Sequence, residues 1–428
     1  AVFTAAFASL TKMNFNKLLS GNITKYQKEG FIMISVGIDV SKGKSTVCIM
    51  KPCGEILELP FDIGHTADEL DSLISLIKSF DEETRVVMED TGHYHLPVAT
   101  YLSSHNIFVC CVNALRMKKF CSQSIRRAKT DKIDSIKIAS FGITYWNELV
   151  KAYPSNVIYD ELKFLARQYY QVTGMLVKSK VNFSNLLDQV MPKINDVLSN
   201  QGENHKLTEF VSRYIHFQNI LDMGEMKFTS DYCKWAKKKG YRLNERKAAE
   251  ILALAQNGIP TLPNSQSVKI AVSEAVKLIH SIEESRNTIL AQMQDLCNTL
   301  PEYSVVKEMD CIGDTLAPRI IAEIGDVRRF KNKHSLIAYA GIDAPPYQSG
   351  AFHASERHIS KRGNSYLRKT GYEIMQSLIK HKPADNAVYD FIQKKRSEGK
   401  CGKEAMIAGL NKFLRVYYGK VMEFYSEH

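Results

Sequence analysis

Four carboxylates in the first third of the chain have the types and spacing to do chemistry. Asp39 lies near the end of a β-branched run from Ile34 to Ser41. Glu89 follows the apolar run Val86-Val87-Met88, so an acid closes a strand that reads as buried. Asp131 and Asp134, in KTDKID, share one helix face at i,i+3 spacing. Taken singly each has a bland explanation: a strand-end Asp is ordinarily a solvated cap, and an i,i+3 acid pair is ordinarily surface. Brought together, four carboxylates repel one another unless cations neutralise them. Mg²⁺ is the apt ion, being hard, oxygen-seeking and suited to phosphate oxygens. Two such ions about 3.5–4 Å apart activate an attacking oxygen and stabilise a leaving one.

The elements that must position these acids are legible around them. Three strands, from Ile34 to Ser41, Lys44 to Met50 and Glu55 to Asp62, read as an antiparallel meander with the turn PCG between the last two. Thr66 offers an N-cap hydroxyl to a helix carrying Leu70, Leu73, Ile74 and Ile77 at helical spacing. A strand from Thr84 to Met88, a helix near Leu96 to Ser103, a strand from Ile107 to Val112 and helices to about Gly142 complete the order βββαβαβα. That order predicts an α/β domain of the RNase H-like (RuvC-like) fold over 33–150. Residues 1–32 lack amphipathic period and read as a non-native or disordered extension, with translation expected to start at Met33.

The whole chain has 428 residues, enough for about two or three domains and a sizeable core. No apolar run approaches the ~18 residues of a membrane span. Nine cysteines without a CxxC pair argue against a disulfide framework or a zinc ribbon and suit a reduced cytoplasm. The net charge of +11 suits a polyanionic partner. Residues 115–132 hold seven basic residues against one acid, Arg126, Arg127 and Lys129 among them. Such a run is ordinarily a solvated helix face; beside a carboxylate site it reads as a rail for phosphates.

The middle, 151–300, reads as long helices. Leu162, Leu165, Tyr169, Val172, Leu176, Ser179, Phe183, Leu186 and Val190 alternate at spacings of three and four, and a matching seam runs from Val272 to Leu300. An antiparallel hairpin or a dimerising coiled coil fits both. Residues 195–268 between them are polar and less regular. Within them KWAKKKGYRLNERK (234–247) interleaves Lys237 and Lys238 with Trp235 and Tyr241. Aromatics among cations suit RNA or single strands; a charged helical insertion that touches nothing fits as well.

The last third, 301–428, reads as mainly helical. Short helices around Ile312-Gly313-Asp314 suggest a helix-hairpin-helix, although Asp310-Cys311 replaces the usual Pro-Gly and an acid resists phosphate. Further on, Ser349 precedes Gly350 in a turn-like stretch, followed by Arg357, Lys361, Arg362, Arg368 and Lys369. A Ser before a Gly is ordinarily a turn residue. As a nucleophile it needs a base, a metal or strong local positive charge, and no neighbouring residue is an obvious base.

VGIDVSKGK (36–44), MEDTG (88–92), KTDKIDS (129–135) and YAGIDAPPYQSG…HISKRGNSYLRK (339–369), in that order, resemble the DEDD insertion-sequence transposases, the bridge-RNA-guided recombinases. The resemblance runs from about Met33 to Gly419, with a longer and more divergent stretch between the helical seams. It implies that Asp39, Glu89, Asp131 and Asp134 form the catalytic, Mg²⁺-binding tetrad. It also implies that a coiled coil leads to a C-terminal transposase domain in which Ser349 is the nucleophile. A structured non-coding guide RNA, donor and target DNA, and homodimers and homotetramers with composite active sites are implied in turn. So is a prokaryotic cytoplasmic enzyme associated with the nucleoid. The alternatives are a metal-only nuclease of the Holliday-junction resolvase type, with Ser349 structural, and a nucleic-acid-binding protein without catalysis.

Overall fold

The computed structural model describes residues 33–427 apart from 91, 123–129, 153–156, 201–204, 243, 346–347, 350–351 and 354–357. The extension expected at 1–32 lies outside the described residues. Two compact units meet in the sequence at Pro154 and Ser155.

The first unit follows the order β1 (Met33–Val40), β2 (Lys44–Met50), β3 (Ile56–Gly64), α1 (Ala67–Lys78), β4 (Glu83–Asp90), α2 (His95–Ser104), β5 (Phe108–Asn113), α3 (Ala114–Cys121) and α4 (Asp131–Thr144). Its five strands lie in the order β3-β2-β1-β4-β5. The first three pair antiparallel, and β4 and β5 join in parallel. This is the mixed sheet that the element order anticipates. Strand period two separates its faces. Ile34, Val36 and Ile38 pack with Leu70, Leu73 and Leu102 of α1 and α2. The opposite face, with Val87, Cys110 and Val112, packs with Ile138 and Phe141 of α4. One detail at α1 differs from expectation. Thr66 makes no side-chain cap bond to the helix amides; instead its hydroxyl and the Gly64 amide both donate to Glu69.

The second unit begins with α5 (Val157–Val190), followed by α6 (Ile194–Val197), α7 (Lys206–Tyr214), α8 (Phe217–Met223), α9 (Glu225–Lys238) and α10 (Glu245–Asn257). After α11 (Gln266–Asn298) come α12 (Tyr303–Lys307), α13 (Gly313–Ile324), α14 (Lys333–Ala340) and a ribbon of β6 (Gln348–Ser349) and β7 (Phe352–His353). Helices α15 (Ser365–His381), α16 (Ala387–Ser397) and α17 (Gly402–Glu427) complete it. Helices α5 and α11 run antiparallel. The start of α5, at Leu162, shares a core with Met293 near the end of α11. Phe183 shares a second core with Val276, and Lys180 reaches Glu283 at 2.7 Å.

Each long helix therefore passes through two cores. One is built with α12 to α17. The other is a distal lobe in which α7 to α10 gather Phe210, Tyr214, Phe217, Phe228, Tyr232 and Trp235. The described residues between the long helices thus pack into a lobe, and the stretch 234–247 does not stand free of it. Its helices are too short for a period to stand out in sequence. Trp235 is only 7% exposed, and the Tyr241 hydroxyl donates to Glu209 at 2.9 Å. The expectation that Trp235 stacks on bases fails, because its ring belongs to the core.

Candidate active site

The close approach of α4 to β1 sets the geometry of the acids. A Cβ on Gly37 would lie 2.2 Å from the Ala139 nitrogen and 2.4 Å from the Ser135 oxygen. One on Gly142 would lie 2.1 Å from Ser35 Oγ. Helix backbone thus rests on strand backbone, which only glycine permits at Gly37. Because residue 142 covers 35 while 135 and 139 cover 37, α4 runs antiparallel to β1. Its first turn, with Asp131 and Asp134, therefore projects toward the end of β1 that carries Asp39. The β1–β4 register pairs Ile38 with Met88, so the next position sets Asp39 beside Glu89. Glu89 lies two residues beyond Val87, on the face that packs with α4.

All four acids thus belong to one rim of the sheet. Asp39 and Glu89 are half-buried and Asp131 is exposed. Asp134 is half-buried, and Lys137 places its ammonium 3.3 Å from Asp134 Oδ1. Thr130 caps the helix, its hydroxyl accepting from the Ile133 amide at 3.2 Å. Carboxylates in a first helical turn also suit the helix dipole. The Cys121 thiol reports the local field. Burial pushes its pKa up, Lys137 pulls it down, and Asp134, Glu89 and Asp39 add to the rise.

Sequence reasoning missed two members of this rim. Lys137 is an i,i+3 neighbour of Asp134, a signal that was available. Asp62 extends the row, since Asp39 pairs with Thr46 and Thr46 with Asp62. The Thr46 hydroxyl donates to Asp62 at 2.7 Å and holds that carboxyl below its usual range, against desolvation and with help from Lys44 and Lys132.

The donor set fits a hard divalent cation, because it is all carboxylate oxygen and already draws one cationic side chain. Among the described residues no three Asp, Glu, His or Cys side chains are grouped closely enough to hold one ion. The acids form an open rim and not a closed cage.

Ser349 lies in the second unit. Its backbone pairs with Phe352 in the two-residue ribbon; its side chain lies outside the described residues. The stem of its loop is clasped. A Cβ on Gly363 would lie 2.1 Å from the Tyr339 oxygen and 2.4 Å from the Gly341 nitrogen. Asn364 N–H donates to Tyr339 O at 2.7 Å, and Lys361 N–H to Gly341 O at 3.0 Å. Ser360 Oγ donates to Asp343 Oδ1 at 2.5 Å. Asn364 also caps α15 and donates to Glu323 Oε2 at 2.8 Å. Glu323, which is buried, receives the Arg167 guanidinium through both oxygens. This ionic anchor had no signal in the sequence.

The cations expected to touch nucleic acid fall into three groups. Arg126, Arg127, Lys129 and Arg357 lie outside the described residues. Lys237, Lys238, Lys361, Arg362 and Lys369 are exposed, with the Lys369 ammonium 4.9 Å from the Tyr170 ring centre. Arg368 is half-buried and donates to Ala340 O and Gly363 O, each at 2.9 Å. Burial lowers its pKa, and its guanidinium serves the clasp. At the suspected helix-hairpin-helix, Asp314 pairs with Lys307 at 2.6 Å and Asp310 accepts from Asn386 at 2.8 Å. These acids are engaged within the protein.

Residues 36–192 match the model of the DEDD transposases of the IS110 type, and 303–390 match that of the transposase IS116/IS110/IS902 family. The chain belongs to the DEDD insertion-sequence transposases. This transposase is 22% identical over 299 residues to the insertion element IS110 uncharacterized 43.6 kDa protein of Streptomyces coelicolor, covering 70% of this chain and 72% of that one. It is 21% identical over 378 residues to the IS116 44.8 kDa protein of Streptomyces clavuligerus, covering 88% and 91%. The pilin gene-inverting protein of Moraxella bovis matches at 26% identity over 136 residues, 31% of this chain and 42% of that one.

Among solved structures, T. thermophilus RuvC in complex with a Holliday junction substrate matches 27% of this chain and 96% of its own, at 10% identity and a TM-score of 0.21. The fold assignment rests on the strand order and the family match instead. The transposase is an enzyme of DNA strand cleavage and rejoining, and its DEDD fold implies use of a divalent metal. Among the described residues no helix is long and apolar enough to cross a membrane.

Proposed function

We propose that the transposase cuts and rejoins DNA through a covalent phosphoserine link at Ser349, with Asp39, Glu89, Asp131 and Asp134 holding Mg²⁺ at the scissile phosphate. A structured RNA from the element directs it to donor and target DNA by base pairing. The observation that supports this reading is the strand register that sets Asp39 beside Glu89 at one end of a sheet whose element order is RNase H-like, with Asp134 and its Lys137 partner in the first turns of the helix that covers β1. When bound, Mg²⁺ supplies positive charge against the phosphate oxygens. Lys137 offsets the charge of Asp134.

Ser349 Oγ attacks phosphorus, and the bond from phosphorus to the 3′ oxygen breaks. The serine proton is lost and the departing 3′ oxygen gains one, so the step is proton-neutral. The new ester keeps the energy of the phosphodiester, so rejoining needs no ATP. The Gly341–Gly363 clasp holds the loop in register, while Lys361, Arg362 and Lys369, with Arg357, attract the phosphate. Arg126, Arg127 and Lys129 lead nucleic acid to the acids, and Lys237 and Lys238 meet the RNA on the distal lobe.

The reading includes dimers and tetramers in which acids of one subunit serve the serine of another. Exposed Val177 and Val181, one turn apart on α5, support it as apolar surface outside the two cores.

Mixing the protein with its RNA and nicked DNA is expected to trap a protein–DNA adduct stable to detergent, and Ser349→Ala abolishes it. An undiminished adduct in that variant rejects the nucleophile. Cleavage by the wild-type protein without any adduct leaves a metal-only nuclease.

A further inference from the structure

A groove of about 1040 Å³ opens between α16, α17 and the stem of the serine loop. Its volume is at the top of the roughly 300–1,000 Å³ range of small-molecule sites. Helix α17 builds its wall with one stripe. Ala405, Leu410, Phe413, Leu414 and Tyr417 are buried in the core, whereas Lys403, Ile407, Asn411 and Arg415, at i+4 steps, line the groove. That stripe has a cation at each end, about 18 Å apart at 1.5 Å per residue, with Ile407 and Asn411 between them.

Lys361, Lys400 and Lys412 complete the cationic rim. Among the described residues none of the five cations pairs with a carboxylate. Of the acids on the rim, Glu398 pairs with Lys395 at 2.5 Å and also feels the charge of Lys400, which leaves Glu404. Phe391 lies in the floor, with the Lys395 ammonium 5.3 Å from its ring centre.

We infer that this groove seats a single strand of DNA beside the serine loop. The cations fit a run of phosphates, and their unpaired state leaves the charge available. A duplex would present phosphates but hide its base faces, so the apolar floor and Phe391 would meet nothing. An unpaired base has a face to lay on an aromatic ring. Strand cleavage at Ser349 frees such a strand at the stem of the loop, and in this respect the inference rests on the function proposed above.

The test uses the full-length protein and fluorescence anisotropy with a short labelled oligothymidine, a duplex and an RNA of equal length, across a salt series. Phe391→Ala is expected to weaken single-stranded DNA binding about tenfold, the lower part of the range for one lost base stack. Lys403→Gln and Arg415→Gln, both at exposed positions, each reduce the slope of log affinity against log salt by about 0.7. Unchanged affinity and slope in the two charge variants overturn the inference, whatever Phe391→Ala does to folding. A larger loss on duplex DNA or on RNA overturns the choice of occupant. Adduct formation by the wild-type protein is read in parallel with its oligothymidine binding. A missing adduct together with groove-dependent binding therefore rejects the serine and leaves the groove, and the reverse pattern rejects the groove alone.

Discussion

Among the described residues, only the second compact unit buries carboxylates outright. In the first, the buried polar residues are Ser35, Ser45, Thr46, His95 and Ser135, and every described carboxylate is exposed or half-exposed. In the second, Glu302 and Glu323 are buried outright. Glu302 accepts from the Tyr159 and Tyr425 hydroxyls, and Glu323 from Arg167 and Asn364. A carboxylate whose two oxygens are satisfied by protein donors in the core has nothing left for a ligand. One on an open rim stays half-buried or exposed beside other acids, at some cost in repulsion. Position relative to the core thus separates acids available to a ligand, as the proposed function requires of the rim, from acids engaged within the protein.

Substitution at the rim breaks or sharpens this contrast most strongly. Asp39→Asn removes a charge and keeps the shape, so DNA cleavage is expected to fall by about 10³-fold or more. That corresponds to the several kcal/mol of charge stabilisation a metal site supplies. The melting temperature should hold or rise, because repulsion at the rim is relieved. A cleavage assay and a thermal melt on the same sample decide it; early melting with cleavage intact makes Asp39 a structural acid.

Glu323→Gln should show the reverse. It leaves the Arg167 guanidinium facing a neutral amide, and breaking a buried pair costs about 3 kcal/mol or more. Denaturant unfolding of the second unit is the measurement. Adduct formation should fall only as far as the folded fraction does, since among the described residues Glu323 meets the stem of the serine loop through Asn364. Wild-type stability in this variant would remove the distinction between the two kinds of acid.

The same contrast explains what the sequence could tell. Strand alternation from Ile34 to Val40 and the acids at strand ends are local patterns, and they made the sheet and its rim readable. Spacings of three and four revealed α5 and α11 for the same reason. The distal lobe was obscure because its helices are short, yet Phe228, Tyr232 and Trp235 at i, i+4 and i+7 did mark one buried stripe. The lysines beside Trp235 drew attention to charge instead. Ser349 sits in a ribbon of two-residue strands with no period to detect, so only the resemblance pointed to it. Arg368 looked like a phosphate ligand because its neighbours are cations. The partners its guanidinium has within the fold, Ala340 O and Gly363 O, come together through a tertiary closure that no spacing reveals.

Asp231 offers the mildest test, since it stands between the two classes at 27% side-chain exposure. Arg213 donates to its two oxygens at 2.9 and 2.6 Å, and the Tyr214 hydroxyl donates at 2.8 Å. The Arg213 hydrogen bonds hold its pKa down against the opposing effect of burial. The unfolded chain therefore takes up the proton first, near pH 3.9 or so for a free Asp. The stability contributed by the pair is complete above that pH and is lost as pH falls through the lower folded value. Arg213 is nearly half exposed, so the increment is small, about 1 kcal/mol at most, or roughly 2–4 °C in melting temperature. Melts of wild type and Asp231→Asn should differ by that amount near neutral pH and converge in acid. A gap that persists unchanged at about pH 2 would mean that the amide fails by geometry and not by charge. The second unit would then hold its acids by shape.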